Sequence, residues 1–296
     1  MSTKPITHPD LTRTTDDERS VEKMTARIAA ICLTVLLVLG ALIMLLPFVW
    51  MVSTSLKTEG AIFNAPLALF PRMPTISAYF DVWQRIPFAR FFANSIIFAG
   101  GVTLLSLLFD SMTAFALARL QFRGRELVFW IVLITLMVPF QITLIPLFVT
   151  VFQLGWINTF AGLIIPRATN AFGIFMLRQF FITLPKDYDD AARIDGAGNF
   201  RVYWQIILPL AKPALATLAV FHFMYNWNDF LWPLVITSST EMRNLPAGLT
   251  LFMGQYVIEH PVLMAGATIS LAPLAIAYLF AQKYFVRGVV MSGLKG

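Results

Sequence analysis

What this chain lacks narrows its function first. One cysteine, Cys32, occurs in 296 residues. A single thiol makes neither an intrachain disulfide nor a thiolate metal cluster. The three histidines, His8, His222 and His260, lie far apart, and no H-E-x-x-H run pairs them. No G-x-x-x-x-G-K-[ST] loop is present, so the chain has no phosphate cradle of its own. A G-x-S-x-G elbow is missing too. These absences speak against hydrolase, metalloenzyme and ATPase chemistry. Charge is also scarce, at 13% of residues, where a soluble domain carries about a quarter.

What is there is apolar. Hydrophobic residues make up 58% of the chain, which predicts a polytopic, all-α integral membrane protein. Residues 28–56 contain no charged side chain and no histidine. As a helix at about 1.5 Å per residue they would reach about 43 Å, more than the ~30 Å hydrocarbon core. A cleaved signal sequence would be shorter and nearer the start.

Six spans are predicted. The first is 28–56, after a polar cytosolic tail at 1–27 that is expected to be flexible at its start. An amphipathic, proline-marked outer segment, 57–90, leads to a five-helix core at 91–283. The second span, 91–118, holds Asp110. The third, 127–154, carries Pro139 and Pro146 as expected kinks. The fourth, 160–181, is interrupted by Arg167 and Arg178, with Arg178 expected to snorkel at its inner end. The fifth, 214–237, contains His222, Asn226, Asn228 and Asp229. The sixth is 262–282, followed by a tail at 284–296.

A net charge of +6 would also suit a nucleic-acid partner. The distribution favours a membrane instead. With both ends inside, cytosolic segments hold sixteen Lys and Arg residues and outer segments five, as the positive-inside rule requires.

One stretch, 184–213, is built for water. Pro185 suits a first helical turn. Asp187, Asp189 and Asp190 follow, where negative charge favours the positive helix end. Tyr188, Ala191 and Ala192 are spaced to share one face, and two adjacent alanines there would let a partner's backbone come close. Gly196 and Gly198 mark a turn, and Asn199 is an expected N-cap of a second helix running to Leu208. Pro209 and Pro213 end or kink it.

These residues resemble a known signature. Asp190, Ala191, Ala192, Gly196, Ile206, Leu208 and Pro209 fall at the fixed positions of the "EAA" motif of ABC-importer permeases, with Asp190 where the family usually has Glu. Three further stretches, NAFGIFMLRQFFITLPK (170–186), YNWNDFLWPL (225–234) and NLPAGLTLFMGQ (244–255), look like the carbohydrate branch of that family, the maltose-permease type. The C-terminal YFVRGVVMSGLKG (284–296) is also similar to it.

The resemblance implies a non-catalytic permease subunit in a bacterial inner membrane, paired with a second, homologous permease. Two cytosolic ATPase subunits would bind ATP and Mg, and this chain would bind no cofactor. An extracytoplasmic binding protein would deliver a sugar. The 184–213 loop would be the coupling helix docked on an ATPase, and the last residues would reach the ATPase interface.

Candidate path residues follow from chemistry. Asn226, Asn228 and Asp229 carry groups that bond sugar hydroxyls. Trp227 offers a flat apolar face. Interhelical hydrogen bonding and an aromatic belt explain the same residues equally well. His222 reads as a packed, interhelical residue. Asp110 either lines a polar path or pairs with a base such as Arg167, or else sits near the inner interface within reach of water; its nine-residue distance from Arg119 favours the last. A rival function is an ion- or proton-coupled secondary transporter using Asp110 or Asp229. Such a transporter would not need a structured loop at 184–213.

Overall fold

The computed structural model describes residues 11–65, 68–253 and 258–293, with side chains from 23 to 279 in those ranges. Residues 1–10 and 294–296, the outer ends of the predicted tails, lie outside the described residues. All named elements among the described residues are helical. Three helices are long and apolar enough to cross a membrane: Lys23–Ser55, Phe88–Arg119 and His260–Leu279. Three bent helix pairs bring the total to six if each pair is one span.

The first helix, α1, runs Leu11–Ser55 without a break. Residues 11–27 of the expected tail continue the helix of the apolar run. Two short helices follow, α2 (Glu59–Asn64) and the amphipathic α3 (Ser77–Arg85), whose Ala78 and Val82 pack into the bundle core. The central element is α4, Phe88–Arg119. Its Ser95, Ala99, Ser106, Ser111 and Ala114 are all buried. Small residues matter here because helices in lipid associate through close packing rather than through expulsion of water.

The predicted third span is not a single rod. It divides into α5 (Arg125–Thr135) and α6 (Phe140–Gln153), with a 99° bend between them. Pro139 causes the break, because proline disfavours helical backbone at the residue before it. Pro146, expected to kink the span, sits inside α6 without ending it. The fourth span is also divided. It consists of α7 (Phe160–Ile164), a 3-10 turn (Ile165–Arg167) and α8 (Ala171–Thr183), bent by 43°. Asn170 caps α8 by accepting from Phe172 N–H at 2.8 Å.

Beyond α8 the chain forms α9 (Asp187–Ile194), α10 (Asn199–Val202), a π turn (Tyr203–Ile207) and α11 (Leu208–Leu210). Then α12 (Lys212–Trp227) returns to the bundle at 79° to the preceding segment. The predicted fifth span, 214–237, is interrupted at residues 228–230 before α13 (Leu231–Ile236). The short α14 (Leu245–Leu249) follows, and α15 (His260–Gly293) closes the chain. The helix through Gly293 extends into the stretch read as a C-terminal tail.

Packing runs along α4. Near its start, Phe88, Phe91 and Ala99 join Val82, Trp227, Leu245 and Ala265. Midway, Phe98 and Val102 meet Leu163, Trp232 and Ile236. At its far end, Ala114 and Phe115 meet Leu177, Phe181, Ala192, Tyr203 and Ile207. Helix α1 lies outside this core and packs chiefly along α15.

Candidate functional site

Two regions carry the predicted site residues. The first is the hook formed by α9 to α11. Negative charge from Asp187, Asp189 and Asp190 fills the first turn of α9, where the helix dipole favours it. Pro185 lies before that turn, and Lys186 stands at the cap. The helix ends in a Schellman arrangement: Gly196 adopts φ +76°, its N–H donates to Arg193 O at 3.0 Å, and Ala197 N–H donates to Ala192 O at 2.9 Å. A side chain at that φ would be strained, so glycine suits the turn. The cap of α10 is Gly198, with Asn199 one position inside the helix.

The hook's two faces differ from expectation. Asp190, Ala191, Gly196 and Pro209 are exposed. Ala192 is buried in the chain's own core, so the two alanines do not share an outer face. Ile206 and Leu208 pack inward with it. The outer face instead carries Ile194, Phe200 and Trp204, with the last two rings stacked at 6.3 Å. The motif did not single these out.

An ion pair fixes the hook. Arg119 Nη1, at the end of α4, lies 3.2 Å from Asp189 Oδ2, with side chains 3% and 7% exposed. Arg119 Nη2 also donates to Leu184 O at 2.8 Å. Arg178 does not snorkel. Its guanidinium donates to Glu126 at 3.1 and 3.2 Å and to Leu117 O at 3.3 Å.

The second region is a half-open cavity of about 720 Å³ on the side of the bundle. The α5–α6 elbow supplies Thr135, Pro139, Phe140 and Thr143. The turn before α8 supplies Arg167, Thr169 and Asn170, and α12 supplies His222, Tyr225 and Asn226. Asn226 Nδ2 donates to His222 O at 2.8 Å, while its buried Oδ1 has no partner.

The other predicted path residues lie elsewhere. Trp227 is buried against Phe92 and Phe223 and donates to Ser270 O at 3.1 Å. Asn228 and Asp229 line a separate pocket of about 600 Å³, which shares Tyr225 with the first. Asp110 lies behind the cavity wall and is 0% exposed. Neither water nor Arg167 reaches it. Thr169 Oγ1 donates to its Oδ1 at 2.7 Å, and Asn170 N–H donates to the same oxygen at 2.9 Å. His222 Nε2 faces its Oδ2 at 3.1 Å, the interhelical role expected of this histidine. Arg167 pairs with Asp229 instead, at 2.9 Å.

Comparison with known proteins follows this geometry. The sequence profile of the family described as "Binding-protein-dependent transport system inner membrane component" matches residues 111–291. An arabinooligosaccharide transport system permease of Bacillus subtilis is 34% identical over 270 residues, spanning 90% of this chain and 96% of that protein. An sn-glycerol-3-phosphate transport system permease of Yersinia pestis is 34% identical over 267 residues, 87% of this chain and 95% of that protein. A chain from the crystal structure of a bacterial ABC transporter involved in import of the acidic polysaccharide alginate superposes with a TM-score of 0.77 at 29% identity. That match covers 88% of this chain and 98% of the other. The signature hook, the broken helices around α4 and these likenesses agree: the chain belongs to the inner-membrane component family of binding-protein-dependent transport systems.

Proposed function

We propose that the chain is one of two permease subunits of an ABC importer that brings carbohydrate into the cytoplasm. The observation that carries this reading is the hook. Its inner face is locked to α4 by a buried ion pair, while Asp190 and Ala191 stay exposed for a partner. A docked segment can transmit force only if it is rigid with respect to the helices it moves. Cytosolic ATPase subunits would bind ATP and Mg and close on the hook, and the bundle would switch the side to which its cavity opens. Exposed Ile194, Phe200 and Trp204 extend the docking face. In this reading the hook and both termini face the cytoplasm, and an extracytoplasmic binding protein loads the opposite side.

The polar cavity supports a carbohydrate solute, since amide, hydroxyl and aromatic groups suit sugar hydroxyls and ring faces. The solutes named for the relatives differ in charge: arabinooligosaccharides are neutral, glycerol 3-phosphate and alginate acidic. Uptake of labelled sugars by the complete complex in proteoliposomes tests the reading. Uptake is expected to require ATP and to ignore an imposed ion gradient. Uptake driven by the gradient alone would overturn it.

Ala191→Trp tests the docking face. Ala191 is exposed within the chain, so the fold should accept the larger side chain. The expected result is normal membrane insertion, weakened co-purification of the ATPase subunits and at least tenfold lower uptake. Unchanged uptake would remove Ala191 from the interface.

A further inference from the structure

We propose that the Arg167–Asp229 ion pair sets the charge class of the carried solute, confining this permease to uncharged carbohydrate. The proposal rests on the carbohydrate reading above and goes beyond it.

Arg167 lines the cavity. Its side chain is 10% exposed and that of Asp229 11%. The Arg167 Cζ lies 4.6 Å from the centroid of the Phe140 ring and 5.5 Å from that of Tyr225. Two aromatic faces therefore hold the cation while Asp229 neutralises it. Asp229 is held in turn, because its Oδ1 accepts from Trp232 N–H at 3.3 Å and its carbonyl accepts from Asn244 Nδ2 at 2.6 Å.

Among the described residues, no other Lys, Arg, Asp or Glu lines the cavity. The remaining titratable groups on its wall are the Tyr225 hydroxyl and His222, and His222 is turned to Asp110 behind it. The cavity thus presents no uncompensated charge. It does present the hydroxyls of Thr135 and Thr143 and the side chain of Asn170, groups that suit a neutral polyol. An acidic sugar would have to share the one guanidinium with Asp229. One of the two carboxylates would then be left without a counter-ion in a partly desolvated wall, which is costly. Take the Asp229 charge away and the relation inverts: a buried guanidinium then lacks an anion, and a uronate supplies one.

The test is equilibrium binding to the complete detergent-solubilised complex without its binding protein, so that only the permease selects. The probes are arabinobiose and digalacturonate, followed by calorimetry. The unaltered complex is expected to prefer arabinobiose. Asp229→Asn, which keeps an acceptor for Trp232 N–H, is expected to move the ratio of affinities towards digalacturonate by tenfold or more. Asp229→Glu should restore the original ratio, and adding Arg167→Gln to Asp229→Asn should abolish the gain.

An Asp229→Asn complex that binds arabinobiose at an unchanged ratio overturns the charge filter and leaves the carbohydrate reading intact. A preference for digalacturonate in the unaltered complex also overturns the filter. Binding of neither probe by a complex that still hydrolyses ATP counts against both.

Discussion

Asp189→Ala is expected to lower sugar uptake by more than tenfold while the protein still inserts in the membrane. The reason is the burial of its partner. In this variant the Arg119 guanidinium keeps the Leu184 carbonyl at 2.8 Å and loses its carboxylate. Stranding one member of a buried pair costs about 3–5 kcal/mol. The pair joins the end of α4 to α9, so the loss falls on the hook. Residues 184–213 should exchange backbone hydrogens faster, and ATP hydrolysis should continue with little uptake. Arg119→Met combined with Asp189→Leu should recover much of the hook's protection, because a well-packed apolar pair replaces a buried ion pair at little cost. Wild-type uptake by Asp189→Ala would show that the hook is held by its apolar contacts alone.

The second large effect is expected at Gly173. A Cβ there would lie 2.1 Å from Asp110 Oδ2 and 2.9 Å from His222 Nε2. Helix α8 would have to move away from α4, and the crowded oxygen belongs to a carboxylate with no access to solvent. Overpacking alone costs about 1–3 kcal/mol. Displacing the carboxylate also weakens its bonds from Thr169 and Asn170, which hold the break before α8. Gly173→Val should therefore lower the thermal transition of the detergent-solubilised protein by several degrees and reduce uptake to background. His222→Gln, which keeps a donor near Oδ2, should cost far less. A Gly173→Val protein with unchanged melting and transport would mean that α8 tolerates a wider gap than this packing implies.

Long-range pairing was the hardest part to read from the chain. The sequence marks Asp110, Arg167 and Asp229 as charges that need partners in lipid, but it does not say which carboxylate takes which base. The choice depends on the bends. With 160–181 drawn as one straight helix, Asp110 and Arg167 look like candidates for each other. The turn at Ile165–Arg167 sends the guanidinium towards α12 and α13, and the backbone N–H of Asn170 takes its place at Asp110. Hydropathy locates apolar segments but is blind to a 99° elbow within one of them.

The hook was legible in outline for a local reason. Its acidic first turn, its glycine turn and its prolines act over a few residues each. What escaped was which side faces inward. Asp189 and Ala192 stand three apart, on one face of α9, and both are buried. The spacing was visible, but the motif grouped Ala192 with Asp190 and Ala191 on an outer face.

One further consequence follows from the contact of α1 with α15. Synthesis delivers α1 before α15, with the other helices between them. During most of translation α1 therefore waits in the bilayer with its long-term neighbour not yet made. A segment that must persist alone in this way gains from a long, strongly apolar surface, and the first span has a mean hydropathy of 3.0 against 1.9 for the other two long helices. The early helix is built to tolerate solitude, and the later arrival of α15 ends it.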